Sequence, residues 1–422
     1  METVLQDKDV QGLKYFARLL PLLDRLHDVG CERDTAGNRK LFFNDYVKAV
    51  LLYMWSPLIG SMRALQKTVK LPRVSKALGI RPFSLGSFSE APAVYEPQLL
   101  KSVIDELAGE LRPLSLNPRL RDVKRALTLV DGTVLQGLSK LGKAAVDGTY
   151  YNTTRDGRFL HGWRLHMQLD LSTFSPGSMN LTGASNAGAT REDKVLKASL
   201  KAGCCYVGDC IYSDRGLLDA IVTAQSSYVM RIREDSVFEV IEERELSQAA
   251  LDAGIVRDAI VRLGGSDDPA MNHPVRLVEL QVQPHPRRTR KGNKGVKATR
   301  HSDRLLMVTD MTELLTELVT LIYQQRYSVE LFFRFFKQIL GMRHLLSQRR
   351  EGVEIQVYCA VIACLMIQLQ TGRKPDKRTV EMMGWFFLGL ASEQDVIDHL
   401  NKPDNTGVKL AAKAALWKKL GA

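Results

Sequence analysis

Apolar residues recur at helical spacing through the first 115 or so positions of the chain. The pattern predicts a helix over Leu13–Leu26 and another over Asn44–Trp55, with Asn44 as its cap. Ser61–Val69 and Pro72–Leu78 form a closely spaced helical pair, punctuated by Arg63, Lys67, Lys70, Arg73, Lys76 and Arg81. From about Arg121 the period changes. Ala126–Val130 is a short apolar run ending at Asp131-Gly132-Thr133, which suits a buried strand. Trp163–Leu171 alternates strictly, and the turn Ser175-Pro176-Gly177 leads to a return strand through Met179 and Leu181. A helix over Arg191–Ala202, a strand at Cys204–Gly208 ending at Asp209, a helix over Arg215–Thr223 and a strand at Ser227–Ile232 follow. Three more strands, Val237–Ile241, Val256–Leu263 and Val275–Val282, are separated by polar and Gly-rich turns. Leu305–Thr309 is the last strand, and the remainder reads as helix.

The order β-β-β-α-β-α-β, with strands two and three a hairpin, is that of a ribonuclease-H-like α/β sheet. In that topology the first and fourth strands are neighbours, so Asp131 and Asp209 come side by side. The expected division is 1–120 helical and DNA-binding, 121–235 with 305–371 catalytic, 236–304 a β-rich insertion, and 372–422 a helical C-terminal region.

Composition narrows the function class. The chain has 422 residues, 45% hydrophobic and 25% charged, as in globular proteins. Lys and Arg outnumber Asp and Glu by 59 to 47, a net charge of +12 that points to a polyanionic partner. The segment 286–300 holds seven basic residues and no acid, among them Arg287, Arg288, Arg290 and Lys291, and predicts a DNA-contacting loop. The most apolar run, Val357–Leu369, is shorter than the ~20 residues a bilayer span needs, so no membrane partner is expected. The start lacks the basic-then-apolar order of a signal peptide, which predicts a cytoplasmic protein. The six cysteines include no CxxC pair, so reduced core thiols are expected and a zinc site is not.

The most informative segment is Tyr323–Lys337. Read as one helix at about 100° per residue, it sets Tyr323, Arg326, Glu330 and Lys337 on one narrow face, and Phe332, Phe335 and Phe336 on others. One acid therefore stands among cations, downstream of two strand-end aspartates. A surface stripe with i,i+4 pairing between Arg326 and Glu330 is the bland alternative.

The spacing Y-x2-R-x3-E-x6-K resembles the signature of insertion-sequence DDE transposases of the insertion-sequence-four type. Leu129–Thr133 resembles the strand carrying that family's first aspartate. Tyr206–Tyr212 with Tyr228–Arg231 resembles the second-aspartate strand, its nearby tyrosine and the following strand, and Ser87–Ala91 resembles a recurring family phrase. The similarity runs from about residue 40 to 370. One departure is local: where the family often has Arg-Gly after the second aspartate, this chain has Cys210-Ile211, and Asp214-Arg215-Gly216 makes Asp214 a rival to Asp209.

The resemblance implies a DNA transposase that cuts at element ends and joins the 3′-hydroxyls to target DNA. It implies Asp131, Asp209 and Glu330 as catalytic, metal-binding acids, with Asp131 bridging two Mg²⁺ ions and Mn²⁺ able to substitute. Tyr323, Arg326 and Lys337 would contact DNA. The partners implied are double-stranded DNA, as terminal inverted repeats and target, and a second copy in a homodimeric synaptic complex at the bacterial nucleoid. Another metal-dependent nuclease of the same fold, or an inactive transposase-derived DNA-binding protein, are the alternative readings.

Overall fold

In a computed structural model the described residues are 19–401, apart from 30, 32, 57, 115, 137–150, 154–158, 184–186, 266–270, 283–303, 342–344, 348, 373 and 375–376. The basic stretch with Arg287, Arg288, Arg290 and Lys291 lies outside them, as do Asp147, Asp156 and most of the helix expected from Leu13. The chain divides into two compact units, Met1–Ile104 with Phe335–Ala422, and Asp105–Arg334.

The first unit is helical. Every residue of helix Phe43–Trp55 is buried. It packs against helix Arg350–Thr371, which is longer than the apolar run picked out in the sequence. That second helix is long and apolar enough to cross a membrane, yet 94% of the relevant window is buried inside the protein. Helices apolar all round belong in a core, and these two cover one another. The expected cap Asn44 lies instead inside the helix, which starts one residue earlier after Phe42. Its carbonyl oxygen accepts from the Asp45 N–H, and its amide donates to Asp24. Ser61 does cap Met62–Val69, accepting from the Ala64 N–H at 3.1 Å.

The second unit holds a ten-stranded mixed sheet. Its strands are β1 Ala126–Gln136, β2 Tyr151–Thr153, β3 Phe159–Asp170, β4 Ser175–Gly183, β5 Cys204–Gly208, β6 Ser227–Ile232, β7 Phe238–Glu243, β8 Ile255–Leu263, β9 Val275–Gln281 and β10 Arg304–Thr309. The main path runs β3-β1-β5-β6-β10-β9-β8-β7, with β2 and β4 both pairing with β3. β1, β5 and β6 are mutually parallel neighbours along this path, and the other pairs are antiparallel. The three strands expected in an insertion thus extend the same sheet through β10. β5 and β6 are almost wholly buried, which explains their unbroken apolar sequence. Tyr206, Tyr228, Met230, Leu277 and Val308 form one core with Leu217, Leu218 and Ile221 of helix Arg215–Thr223.

Two expectations change. β1 does not end at Asp131 but continues to Gln136, because β3 offers ladder partners as far as Gly162 and Thr133 and Leu135 are buried. Tyr323–Lys337 is not one helix: Thr316–Gln324 and Tyr327–Gly341 are separated by a turn at Gln325 and Arg326. Bonds of i→i+3 type, Arg326 N–H to the Tyr323 carbonyl and Val329 N–H to the Arg326 carbonyl, tighten the break. A single helical wheel therefore does not relate Tyr323 to Glu330.

Candidate active site

The site is built from the middle of β1 outward. Parallel pairing sets Leu129 beside Val207, so continuing the register by two residues brings Asp131 opposite Asp209. The Gly132 N–H donates to Asp131 Oδ1 at 2.8 Å. Burial pushes the Asp131 carboxyl up to about 7, against that hydrogen bond and the Arg326 charge, with Asp209 and Glu192 pushing the same way as burial. Asp209, half-buried, closes β5 and begins a tight turn by accepting from the Ile211 N–H at 2.9 Å. Its rival Asp214 is an N-cap: it accepts from the Leu217 N–H at 3.1 Å at the start of Arg215–Thr223 and lies 3.8 Å from Lys194.

The turn at 325–326 carries Arg326 to this cluster. Burial would lower its guanidinium, but Tyr323, Glu330 and Asp131 outweigh that and hold it above its ordinary value. Arg326 is ion-paired with Glu330, as the bland reading of the spacing expected. Tyr323 borders Arg326, Arg231, Asp209 and Cys210, and burial raises its phenol. The structure therefore gathers Asp131, Asp209, Tyr323, Arg326 and Glu330 in one unit. Lys337 is exposed on helix Tyr327–Gly341, beyond the division between units. Phe332, Phe335 and Phe336 are buried, as their positions predict.

One acid was missed. Glu192, at the start of helix Glu192–Lys197, is 2% exposed and bound by Arg164 and by the Tyr212 hydroxyl, the latter at 2.9 Å. It lies against Gly132, where a Cβ would fall 2.5 Å from its carboxyl carbon. The available signal was a glycine beside an aspartate inside a strand, a mark of close approach by another group. His166 is buried with Nε2 2.8 Å from the Thr182 hydroxyl, and desolvation lowers it to about 4. It lines a small cleft together with Glu192 and Tyr212.

Among the described residues no three His, Cys, Asp or Glu side chains are already arranged around a metal position, since Glu330 is turned to Arg326. The donor chemistry nevertheless fits a hard divalent cation. All the candidate donors are carboxylate oxygens, and Asp131 carries the repulsion of two neighbouring acids that a cation would relieve.

Residues 123–366, more than half of the chain, match the family described as Transposase DDE domain. The y4zB protein of Sinorhizobium fredii, named as a candidate transposase, is 25% identical over 251 residues. That similarity spans 59% of this chain and 62% of the relative's length. A cryo-EM structure of the piggyBac transposase synaptic complex with hairpin DNA aligns over 94% of this chain and 83% of that one. At a TM-score of 0.41 and 11% identity, that likeness carries no argument.

Proposed function

The chain belongs to the Transposase DDE domain family, and on that premise we propose that it is a DNA transposase of the insertion-sequence-four type. It cuts double-stranded DNA at terminal inverted repeats and joins the freed 3′-hydroxyls to target DNA, acting in the cytoplasm at the nucleoid. The observation that carries this reading is Asp131 on β1 and Asp209 just past the end of the adjacent parallel β5, with the Arg326–Glu330 pair beside them. The neighbour order β4-β3-β1-β5-β6 supports a ribonuclease-H-like core. A catalytic region of 121–235 and 305–371, an insertion at 236–304 and flanking helical regions remain our division of labour.

Asp131, Asp209 and Glu330 would hold two divalent cations, Mg²⁺ or Mn²⁺, which neutralise charge on the attacking and leaving oxygens of a phosphodiester. The protein's part is to present Asp131, whose burial and neighbouring acids a cation would offset, and to free Glu330. A DNA phosphate can replace Glu330 as the partner of Arg326, because guanidinium pairs with either anion. Substrate entry would then release the third carboxylate where it is needed. Tyr323 would stack on a terminal nucleotide, and Lys337 would hold a phosphate. Because two ends must be joined, the working species is a homodimer on DNA.

The test is cleavage and strand transfer on paired inverted-repeat DNA. Asp131→Asn, Asp209→Asn and Glu330→Gln should each abolish cleavage and leave DNA binding largely intact. Cleavage by Glu330→Gln at the wild-type rate would sink the reading.

A further inference from the structure

We propose that Glu192 is a positioning residue: with Arg164 and Tyr212 it forms a buried clamp that fixes the spacing of Asp131 and Asp209, and thereby sets the affinity of the site for divalent cations. The inference rests on the carboxylate–metal reading of that site.

The clamp reaches both aspartates through short, stiff connections. On one side, Glu192 lies against Gly132 so closely that no Cβ fits, and the Gly132 N–H holds Asp131 Oδ1 at 2.8 Å. On the other, the Tyr212 hydroxyl donates to Glu192 Oε2 at 2.9 Å. Tyr212 closes the tight turn that Asp209 opens through its bond to the Ile211 N–H, so the two residues move as one piece. Tyr212 is 2% exposed and its ring lies close to Gly208, the residue before Asp209. Arg164 supplies the anchor. It binds Glu192 Oε1 from β3, opposite Val134 of β1.

Glu192 is not itself suited to ligate a cation, because each of its oxygens already accepts from a donor. Nor is it what packing alone would select. A buried carboxylate beside two others is costly, and an apolar side chain of similar volume would fill the space without that repulsion. What the carboxylate adds is two directional bonds tying Arg164 of β3 and Tyr212 of the Asp209 turn to a side chain that lies against Gly132. Removing groups that orient metal ligands commonly weakens metal affinity or activity by 10- to 100-fold.

The experiment is a titration of the full-length, DNA-free protein with Mn²⁺, followed by electron paramagnetic resonance, beside thermal melting and cleavage at rising Mn²⁺. Glu192→Gln and Tyr212→Phe should each weaken Mn²⁺ binding about tenfold. Raised Mn²⁺ should restore much of their cleavage, with kcat recovering at saturating metal. If either variant folds and binds Mn²⁺ like wild type, the clamp is merely structural and the proposal is overturned. Should Glu192→Gln fail to fold, Tyr212→Phe decides, since it keeps the charge and removes one bond. Wild type and Asp131→Asn separate the two levels of the argument. Tight Mn²⁺ binding by wild type that is lost in Asp131→Asn upholds the site, leaving the clamp variants to judge the clamp. Absence of Mn²⁺ binding by wild type removes the metal reading and this inference together.

Discussion

Asp209 and Asp214 show how little residue type alone reveals. Both are aspartates at the start of a helical turn, and both accept from a backbone N–H. Asp209 directly follows β5, the parallel neighbour of β1, and its charge acts on Asp131. Asp214→Ala should therefore cost about 1 kcal/mol of stability through the lost N-cap while sparing cleavage at permissive temperature. Urea unfolding and cleavage rates measured together check this, and a stable but inactive variant would exchange the roles of the two residues. At this scale the three acids and Arg326, which we propose for the site, each sit in a short motif that sequence reading can pick out. Glu192 does not, since its partners Arg164 and Tyr212 are 28 and 20 residues away and no local spacing betrays them. Asp131-Gly132 misled in a different way: the pair resembles a turn, but β3 provides a ladder that carries the strand through it.

Among the elements, the strands were read closely because apolar alternation and buried runs follow directly from sheet geometry. The break at Gln325 and Arg326 was not, because no glycine or proline marks it. The beginning of helix Thr316–Gln324 is secured from the far side of the sheet. Arg276 of β9 is fully buried, ion-paired with Asp258 of β8, and donates to the carbonyls of Met311, Thr312 and Leu314. Arg276→Met should cost about 3–5 kcal/mol, as breaking a buried pair does. Replacing both charged partners by apolar residues should recover only part, because three carbonyls would still lose their donor. The hydrogen bonds from Arg276 and Thr316 hold Asp258 below the usual carboxylate range despite its burial. A lowered folded pKa contributes stability that is fully present above the unfolded value, about 3.9, and lost as pH falls through the folded one. Asp258→Asn should accordingly be less stable near neutrality and lose less stability on acidification below about pH 4. Denaturant midpoints across pH 2–7 would reveal the difference, and parallel curves for the two proteins would refute it.

For the whole molecule, the motifs made the transposase family legible, whereas the two compact units were not. The sequence suggested breaks where the period changes, but contacts divide the chain within helices Leu100–Gly109 and Tyr327–Gly341. Periodicity has no discontinuity inside a helix, so such a boundary leaves no trace in the pattern. The proposed DNA path can still be tested without structural detail of the basic stretch. Replacing Arg287, Arg288, Arg290 and Lys291 by alanine should reduce the slope of log affinity against log salt by up to about 3–4 units, with sequence preference unchanged. Salt titrations of binding measure this, and an unaltered slope would place the phosphate contacts elsewhere.

The order of strands has a consequence for how the protein is made. β10 starts at Arg304 yet fills the place beside β6, which ends at Ile232. While the ribosome works through the residues between, β6 has its β5 partner available but its other edge must wait. That edge belongs to a strand with Tyr228, Val229 and Met230 fully buried in the finished fold, the sort of surface on which nascent chains associate wrongly. Glu330 emerges later still, so a chain interrupted between Asp209 and Glu330 would carry both aspartates without the acid proposed to complete them.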